Sequence, residues 1–114
     1  MRSIMSRRDQ IPLTQMLDYA REAVNLASGK SRGDLDTDRL FELALTRLLE
    51  VIGEAANRIP DEIQAANPEI PWLQVIGLRN RLIHGYDSVD FDILWAIVKN
   101  DLPDLIRKLE KTLN

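Results

Sequence analysis

The sequence predicts an all-α fold, an antiparallel up-down bundle of four helices with one short extra helical turn. Apolar residues recur at spacings of three and four along four segments, and no segment alternates with the period of two expected of a half-buried strand. Short connections between the segments favour antiparallel neighbours. The 114 residues suit one domain, 1–114, in which residues 1–8 contain three arginines and no hydrophobic run and are expected to form a poorly ordered lead.

The first two helices are predicted from their apolar stripes and their end signals. The first runs from about Ile11 to Ser28, and Gly29 supplies a left-handed C-terminal stop. The second is capped by Asp36 or Thr37 and runs to about Ile59, where the next residue is proline. Its apolar positions cover close to half the circumference, which is wider than the stripe that one neighbouring helix requires.

The third helix follows a short helical turn expected over residues 61–66. It is predicted from about Trp72 to His84, and Gly85 is placed to end it. Two prolines just before it make a rigid entry into the helix.

The fourth helix is the last element and is expected to be kinked. Ser88 or Asp90 can cap it, and it runs to about Leu113. Because Pro103 lacks a backbone donor, we expect a kink or break near Asn100.

Two isoleucines of the fourth helix raise the question of a homodimer. Ile93 and Ile97 point away from the apolar stripe of this helix. They are either single surface residues, which are common, or part of a homodimer surface. The pattern favours the homodimer.

The composition excludes several classes of protein. There are no cysteines, which excludes disulfides, thiolate zinc sites and cysteine nucleophiles, and the single histidine, His84, excludes chemistry that needs two imidazoles within one chain. The formal net charge of −3 argues against a basic nucleic-acid coat but leaves room for a local basic cleft. No apolar run approaches the roughly 18 residues of a membrane span, and no secretory signal is seen, so we expect a cytoplasmic protein with no membrane partner.

Three polar residues converge toward the end of the third predicted helix. On a helical wheel Arg79 falls in the middle of the apolar stripe, and Asn80 and His84 share one edge of it. Because a guanidinium stays charged, Arg79 must there have an anionic partner, a route to water or a cleft. Arginine, amide and imidazole together can grip a phosphate, orient a hydroxyl and move a proton near neutral pH. On the same helical wheel, Tyr86 falls beside Arg79 if the helix continues past Gly85.

Two other interpretations of these residues stay open. In the first, the chain is a plain helical dimerisation domain and Arg79 forms a buried ion pair with Glu54 of the second helix. In the second, the chain is a metal-dependent nuclease that uses the acidic loop. That loop contains Asp34, Asp36 and Asp38, but it lacks the glutamate and glycine placement of a calcium loop, so a solvated loop is favoured.

The pattern Arg79-x4-His84-x-Tyr86 resembles the signature of HEPN-domain toxins, specifically the HepT branch of the MntA–HepT toxin–antitoxin systems. An Arg-x4-His spacing alone occurs by chance in many proteins. Its place in this helical order, with Asn80 beside Arg79, makes it fairly specific. The resemblance extends over most of the chain, through Ile52-Gly53-Glu54-Ala55, Pro68 to Trp72, Val89-Asp90, Trp95 and Leu102-Pro103.

The resemblance implies a HEPN-like fold and a metal-independent endoribonuclease toxin of a type VII-like toxin–antitoxin pair, with no cofactor. Its substrate would be RNA, and Arg79 and His84 of both chains would line a shared cleft in a two-fold homodimer. The implied partner is a nucleotidyltransferase antitoxin of the MntA type, which adds AMP to the tyrosine of the motif, here Tyr86. The alternative is a non-catalytic HEPN module that binds nucleotide or supports a partner transferase.

A mechanism follows as a hypothesis from the single histidine. One imidazole cannot serve as base and acid at once, so a two-fold axis would bring in the second copy. We expect one His84 to take the proton of the ribose 2′-hydroxyl and its symmetry mate to protonate the 5′-oxygen, which gives a 2′,3′-cyclic phosphate and a 5′-hydroxyl. Arg79 would stabilise the charge on the phosphorane, and Asn80 would orient His84 or a phosphate oxygen.

Overall fold

The computed structural model describes residues 5–84 and 88–114. The regular secondary structure of the described chain is helical apart from one ladder of two residues per strand, which confirms the all-α fold class. Its elements in order are α1 (Arg7–Ala27), α2 (Asp34–Thr37), α3 (Arg39–Asn57), α4 (Asp61–Ala66), α5 (Trp72–Ile76), α6 (Leu78–Leu82), β1 (Ile83–His84), β2 (Ser88–Val89), α7 (Phe91–Ala96), a π turn (Ile97–Asp101) and α8 (Leu102–Leu113). Helix α1 packs against α3 and α8, and α3 also packs against α5 and α6.

Helix α1 begins earlier than its apolar stripe indicates. The hydroxyl of Ser6 accepts a hydrogen bond from the backbone N–H of Asp9 at 3.1 Å and so caps a helix that starts at Arg7. The prediction of a start near Ile11 was late because the cap lies six residues before Pro12, the first buried residue of α1. Positions 7 and 8, predicted as part of the lead, are therefore helical. At the other end Gly29 has a φ of 78°, as its predicted role as a left-handed stop requires.

A separate helical turn precedes α3 and displaces its cap. Asp36 and Thr37, the predicted caps, lie inside α2. The cap of α3 is Asp38, whose carboxylate accepts a hydrogen bond from the backbone N–H of Phe41 at 3.1 Å. The prediction was wrong by one or two residues because three aspartates at alternate positions offer equivalent caps in the sequence.

The predicted third helix is broken into α5 and α6. Gly77 lies between them with φ −85° and ψ 10°, and its amide bonds the carbonyl of Leu73 at 3.0 Å. Beyond Leu82 the chain is extended, and Ile83 and His84 pair with β2. The predicted helix end at His84 is therefore two residues too late. The proposed stop at Gly85 lies outside the described residues.

The predicted break in the last helix is confirmed as a π turn. Asp90 caps α7 by accepting from the amide of Ile93 at 3.0 Å, which agrees with one of the two predicted caps. Over Ile97–Asp101 the helix widens, and the amide of Leu102 bonds the carbonyl of Ile97, five residues before it. Pro103 follows at the start of α8. A wider turn lets the chain continue where proline supplies no donor.

The proposed dimer surface at Ile93 and Ile97 is wrong. Ile97 is 1% exposed and belongs to the core, and Ile93 is half-buried against it. The wider π turn changes which side of the helix faces inward, and a wheel of constant pitch misses that change. The described large apolar residues that do face solvent lie elsewhere: Ile11, Leu40, Leu43 and Leu73.

The core lies where α1, α3 and the last helix meet. Its largest fully buried side chains include Leu13, Met16, Leu45, Leu49, Ile52, Leu82, Leu94, Ile97, Leu102 and Leu109. Within residues 5–84 and 88–114, no helix is both long enough and apolar enough to cross a bilayer.

Candidate functional site

A groove of about 260 Å³ lies between α3 and the α5–α6 segment. Its lining residues are Glu50, Gly53, Glu54, Asn57, Ile76, Arg79 and Asn80. Two of the three residues predicted to be catalytic, Arg79 and Asn80, therefore share one concave surface. Both are exposed.

The groove depends on a close approach of two backbones at Gly53. A Cβ atom built on Gly53 would lie 3.0 Å from the carbonyl oxygen of Val75 and 3.4 Å from that of Ile76. An added Cβ would require the backbone of α5 to shift by a few tenths of an ångström. The glycine thus sets the distance between the two walls of the groove.

Arg79 does not lie in the apolar stripe, contrary to the sequence prediction. Its side chain is 68% exposed, and its Nε atom lies 3.8 Å from the Glu50 carboxylate. Among the residues that the structure describes, its guanidinium makes no hydrogen bond. The wheel assumed one continuous helix, whereas the break at Gly77 turns α6 so that Leu78 and Leu82 face the core. An exposed guanidinium in a groove is free to bind an anion.

The predicted ion pair between Arg79 and Glu54 is also wrong. The Oε1 atom of Glu54 lies 3.4 Å from Nη1 of Arg47. Both residues lie on the same face of α3. Glu50, whose carboxylate forms the ion pair with Arg79, was missed. The signal that could have found it is its position four residues before Glu54, which places both carboxylates on one face of α3.

His84 follows α6 directly and lies in the extended strand β1. Its backbone pairs with that of Ser88, and the amide of Asp90 bonds the carbonyl of Leu82 at 2.8 Å, which ties the start of α7 to the end of α6. Because helical geometry ends at Leu82, the predicted shared helical edge of Asn80 and His84 does not exist. The predicted modification site Tyr86 lies outside the described residues.

A second cleft, of about 360 Å³, lies on the other side of α6 against the π turn. Arg81 reaches across it to Asp101, with Nη2 3.2 Å from Oδ2. On its rim Lys108 donates to Asp104 at 2.8 Å, and this hydrogen bond lowers the pKa of the Asp104 carboxyl. The ion pairs of this cleft are within hydrogen-bond distance, whereas Arg79 in the first groove lies 3.8 Å from its carboxylate partner Glu50.

The three aspartates before α3 make hydrogen bonds and an ion pair with residues close to them in the sequence. Asp34 accepts from the backbone amide of Ser31 at 2.7 Å, Asp36 pairs with Arg32 at 3.0 Å, and Asp38 caps α3. In the part of the chain that the structure describes, no three histidine, aspartate or glutamate side chains are grouped to hold a metal ion.

An all-α domain with an exposed arginine in a groove, and a histidine just beyond the helix that carries it, is consistent with a HEPN-like fold. The family model described as "Ribonuclease HepT-like" matches residues 16–112 of the chain. The chain therefore belongs to the HepT-like ribonuclease family, which confirms the resemblance drawn from the motif.

Two curated relatives cover nearly the whole chain. "Probable ribonuclease HepT" of Thermococcus cleftensis is 44% identical over 99 residues, which span 83% of this chain and 90% of the relative. "Putative RNase MJ1380" of Methanocaldococcus jannaschii is 34% identical over 107 residues, which span 93% of this chain and 98% of the relative. No solved structure is significantly similar to the chain.

Proposed function

We propose that this protein is a metal-independent endoribonuclease that binds the scissile phosphate of RNA with Arg79 and transfers protons with His84. The observation that carries the proposal is the Arg79 side chain, which is 68% exposed in a groove and whose guanidinium makes no hydrogen bond among the described residues. A buried or fully paired arginine would argue for a structural role instead. Membership of the HepT-like family and the names of the two relatives support ribonuclease activity.

Each proposed residue has a role that its chemistry allows. The planar guanidinium of Arg79 can donate two parallel hydrogen bonds to a phosphate and stabilise the charge that develops in the transition state. Asn80, beside it in the groove, has an amide that can orient a phosphate oxygen. His84 is the only histidine of the chain, and imidazole is the side chain suited to proton transfer near neutral pH, so it is the proposed base or acid. No step requires a bound metal ion.

The proposed reaction requires two copies of the chain. Deprotonation of the 2′-hydroxyl and protonation of the 5′-oxygen call for a base and an acid, and each chain supplies one imidazole. A two-fold homodimer supplies the second imidazole, so the proposed site is composite.

The outward stripe of α3 is the proposed dimer surface. It begins with Leu40 and Leu43, which are 80% and 45% exposed, and continues through Arg47 to the groove residues Glu50 and Glu54. These positions follow the alternating three- and four-residue spacing at which two helices pack along a seam. A second copy seated on this stripe would lie beside the groove, as a composite site requires.

Changing both leucines to aspartate tests this surface. The variant Leu40→Asp with Leu43→Asp is expected to sediment as a monomer and to lose RNA cleavage, because two buried charges would oppose the interface. The matched control is Ile11→Asp, which changes an apolar residue that is 55% exposed on α1 and should stay dimeric and active. A double variant that remains dimeric would place the interface elsewhere.

The activity itself is tested on single-stranded RNA in the presence of a chelator. We expect the purified protein to cleave it and to leave 2′,3′-cyclic phosphate and 5′-hydroxyl ends, which mass spectrometry of the products identifies. Cleavage that stops when divalent ions are removed would contradict metal independence. Nucleotide or RNA binding without cleavage would favour the non-catalytic HEPN module.

The second part of the proposal is neutralisation by a nucleotidyltransferase antitoxin of the MntA type. It rests on the resemblance of the motif that ends in Tyr86. AMP attached to Tyr86 would add negative charge two residues from His84 and compete with RNA phosphate for Arg79.

Intact mass after co-expression with such a transferase tests this modification. The protein is expected to gain one AMP, and peptide mapping is expected to place it on Tyr86. The Tyr86→Phe variant should keep the unmodified mass and remain active beside the transferase. If Tyr86→Phe is neutralised by nucleotide addition as efficiently as the parent, Tyr86 is not the target.

A further inference from the structure

The ion pair between Arg79 and Glu50 joins a largely buried glutamate side chain to an exposed arginine side chain. Glu50 projects from the middle of α3, and its side chain is 25% exposed, whereas the Arg79 side chain is 68% exposed. The two groups approach to 3.8 Å between Nε and Oε2, which is an ion-pair distance but longer than a hydrogen bond. The guanidinium is therefore attracted to the carboxylate but is not hydrogen-bonded to it.

The other carboxylate of the groove pairs with a different arginine. Glu54 lies one turn further along α3, is 56% exposed, and has its own cation, Arg47, at 3.4 Å. Both glutamates carry the same formal charge and line the same groove. They differ in which arginine they face, so a comparison between them separates a local effect on Arg79 from a general effect of negative charge.

We propose that Glu50 is the internal counter-anion of Arg79, which an RNA phosphate must displace when it binds. This inference rests on the proposed function, in which Arg79 receives the scissile phosphate. A carboxylate and a phosphate recognise the same fork of N–H donors on a guanidinium, so the two compete for Arg79. Glu50 thereby weakens substrate binding and makes the groove selective for ligands that offer more than a single anionic contact.

The test measures binding separately from cleavage. The probe is a short single-stranded 2′-O-methyl oligonucleotide of mixed sequence, which has the phosphates of RNA but no free 2′-hydroxyl to attack them. Fluorescence anisotropy gives its Kd for the parent, for Glu50→Gln and for the matched control Glu54→Gln. Single-turnover cleavage of the corresponding RNA at saturating protein gives the chemical rate.

Glu50→Gln is expected to lower Kd about three- to fivefold, the range of an exposed ion pair, whereas Glu54→Gln changes it by less than about twofold. In the Arg79→Ala background, Glu50→Gln should give no gain beyond that of Glu54→Gln, since the partner of the carboxylate is gone. A variant that merely damaged the fold would weaken binding, so tighter binding cannot come from structural loss.

Three results would overturn the inference while the proposed function stands. These are an unchanged Kd in Glu50→Gln, equal tightening by the two glutamine variants, and a slower single-turnover rate in Glu50→Gln, which would make Glu50 a positioning residue for Arg79. If the parent neither binds the oligonucleotide nor cleaves RNA, the proposed function fails and the inference fails with it. Glu50→Asp, which keeps the charge on a shorter side chain, provides a second variant should glutamine impair folding.

Discussion

Replacing His84 with alanine is expected to lower the rate of RNA cleavage by about 10²–10⁴-fold, the usual contribution of general acid–base catalysis. The chain contains no other histidine, so no neighbouring imidazole can take over the proton transfer. His84 pairs with Ser88 through its backbone in β1, a strand of two residues, and alanine keeps this backbone pairing. The loss of activity should therefore occur without loss of the fold.

The measurement is the initial rate of cleavage of a labelled single-stranded RNA, together with circular dichroism and sedimentation of the same samples. Lys111→Ala is the control, because Lys111 is an exposed residue in the last turn of α8. It should cleave like the parent. Cleavage by His84→Ala at the parental rate would remove histidine from the mechanism, and the reaction would then need another base and acid.

Replacing Gly53 with alanine is expected to lower the free energy of unfolding by about 1–2 kcal/mol. Overpacking a tight site costs about 1–3 kcal/mol, and the better helix propensity of alanine recovers about 0.5–1 kcal/mol. The new Cβ would lie 3.0 Å from the carbonyl oxygen of Val75. Because that neighbour is backbone, it cannot rotate aside as a side chain would, and α5 must move away from α3.

Urea unfolding of Gly53→Ala and of Gly33→Ala measures this effect. Around Gly33 an added Cβ would meet only the hydroxyl oxygen of Ser31, at 3.8 Å, so Gly33→Ala should stay within about 0.5 kcal/mol of the parent. Moving α5 also widens the groove that contains Arg79, so Gly53→Ala should cleave RNA more slowly as well. Equal stability of the two alanine variants would show that the α3–α5 contact adapts without strain.

Local chemistry explains which elements could be predicted from the sequence. Gly29 ends α1, Asp90 caps α7 and Pro103 forces a change of helix type, because each acts on its immediate neighbours in the chain. The α3 cap was displaced to Asp38, since the sequence offers three aspartates of similar capping strength and packing selects one.

Predictions that relied on one helical phase over many residues failed. Arg79 was placed in the apolar stripe and Ile97 on the surface, and both assignments are reversed in the structure. Between each residue and its reference stripe lies an irregularity, the break at Gly77 or the π turn, that rotates the later part of the helix. A wheel of constant pitch cannot represent such a rotation.

The sequence by itself determined the helical class, the family and the residue types of the candidate site, because periodicity, end signals and a short motif are all written in neighbouring positions. Only the tertiary structure decided that Arg79 is exposed and that its anionic neighbour is Glu50 rather than Glu54. The reason is physical: the contact joins side chains 29 positions apart, and its geometry is set by how closely α5 can approach Gly53. Spacing along one helix contains no information about that distance.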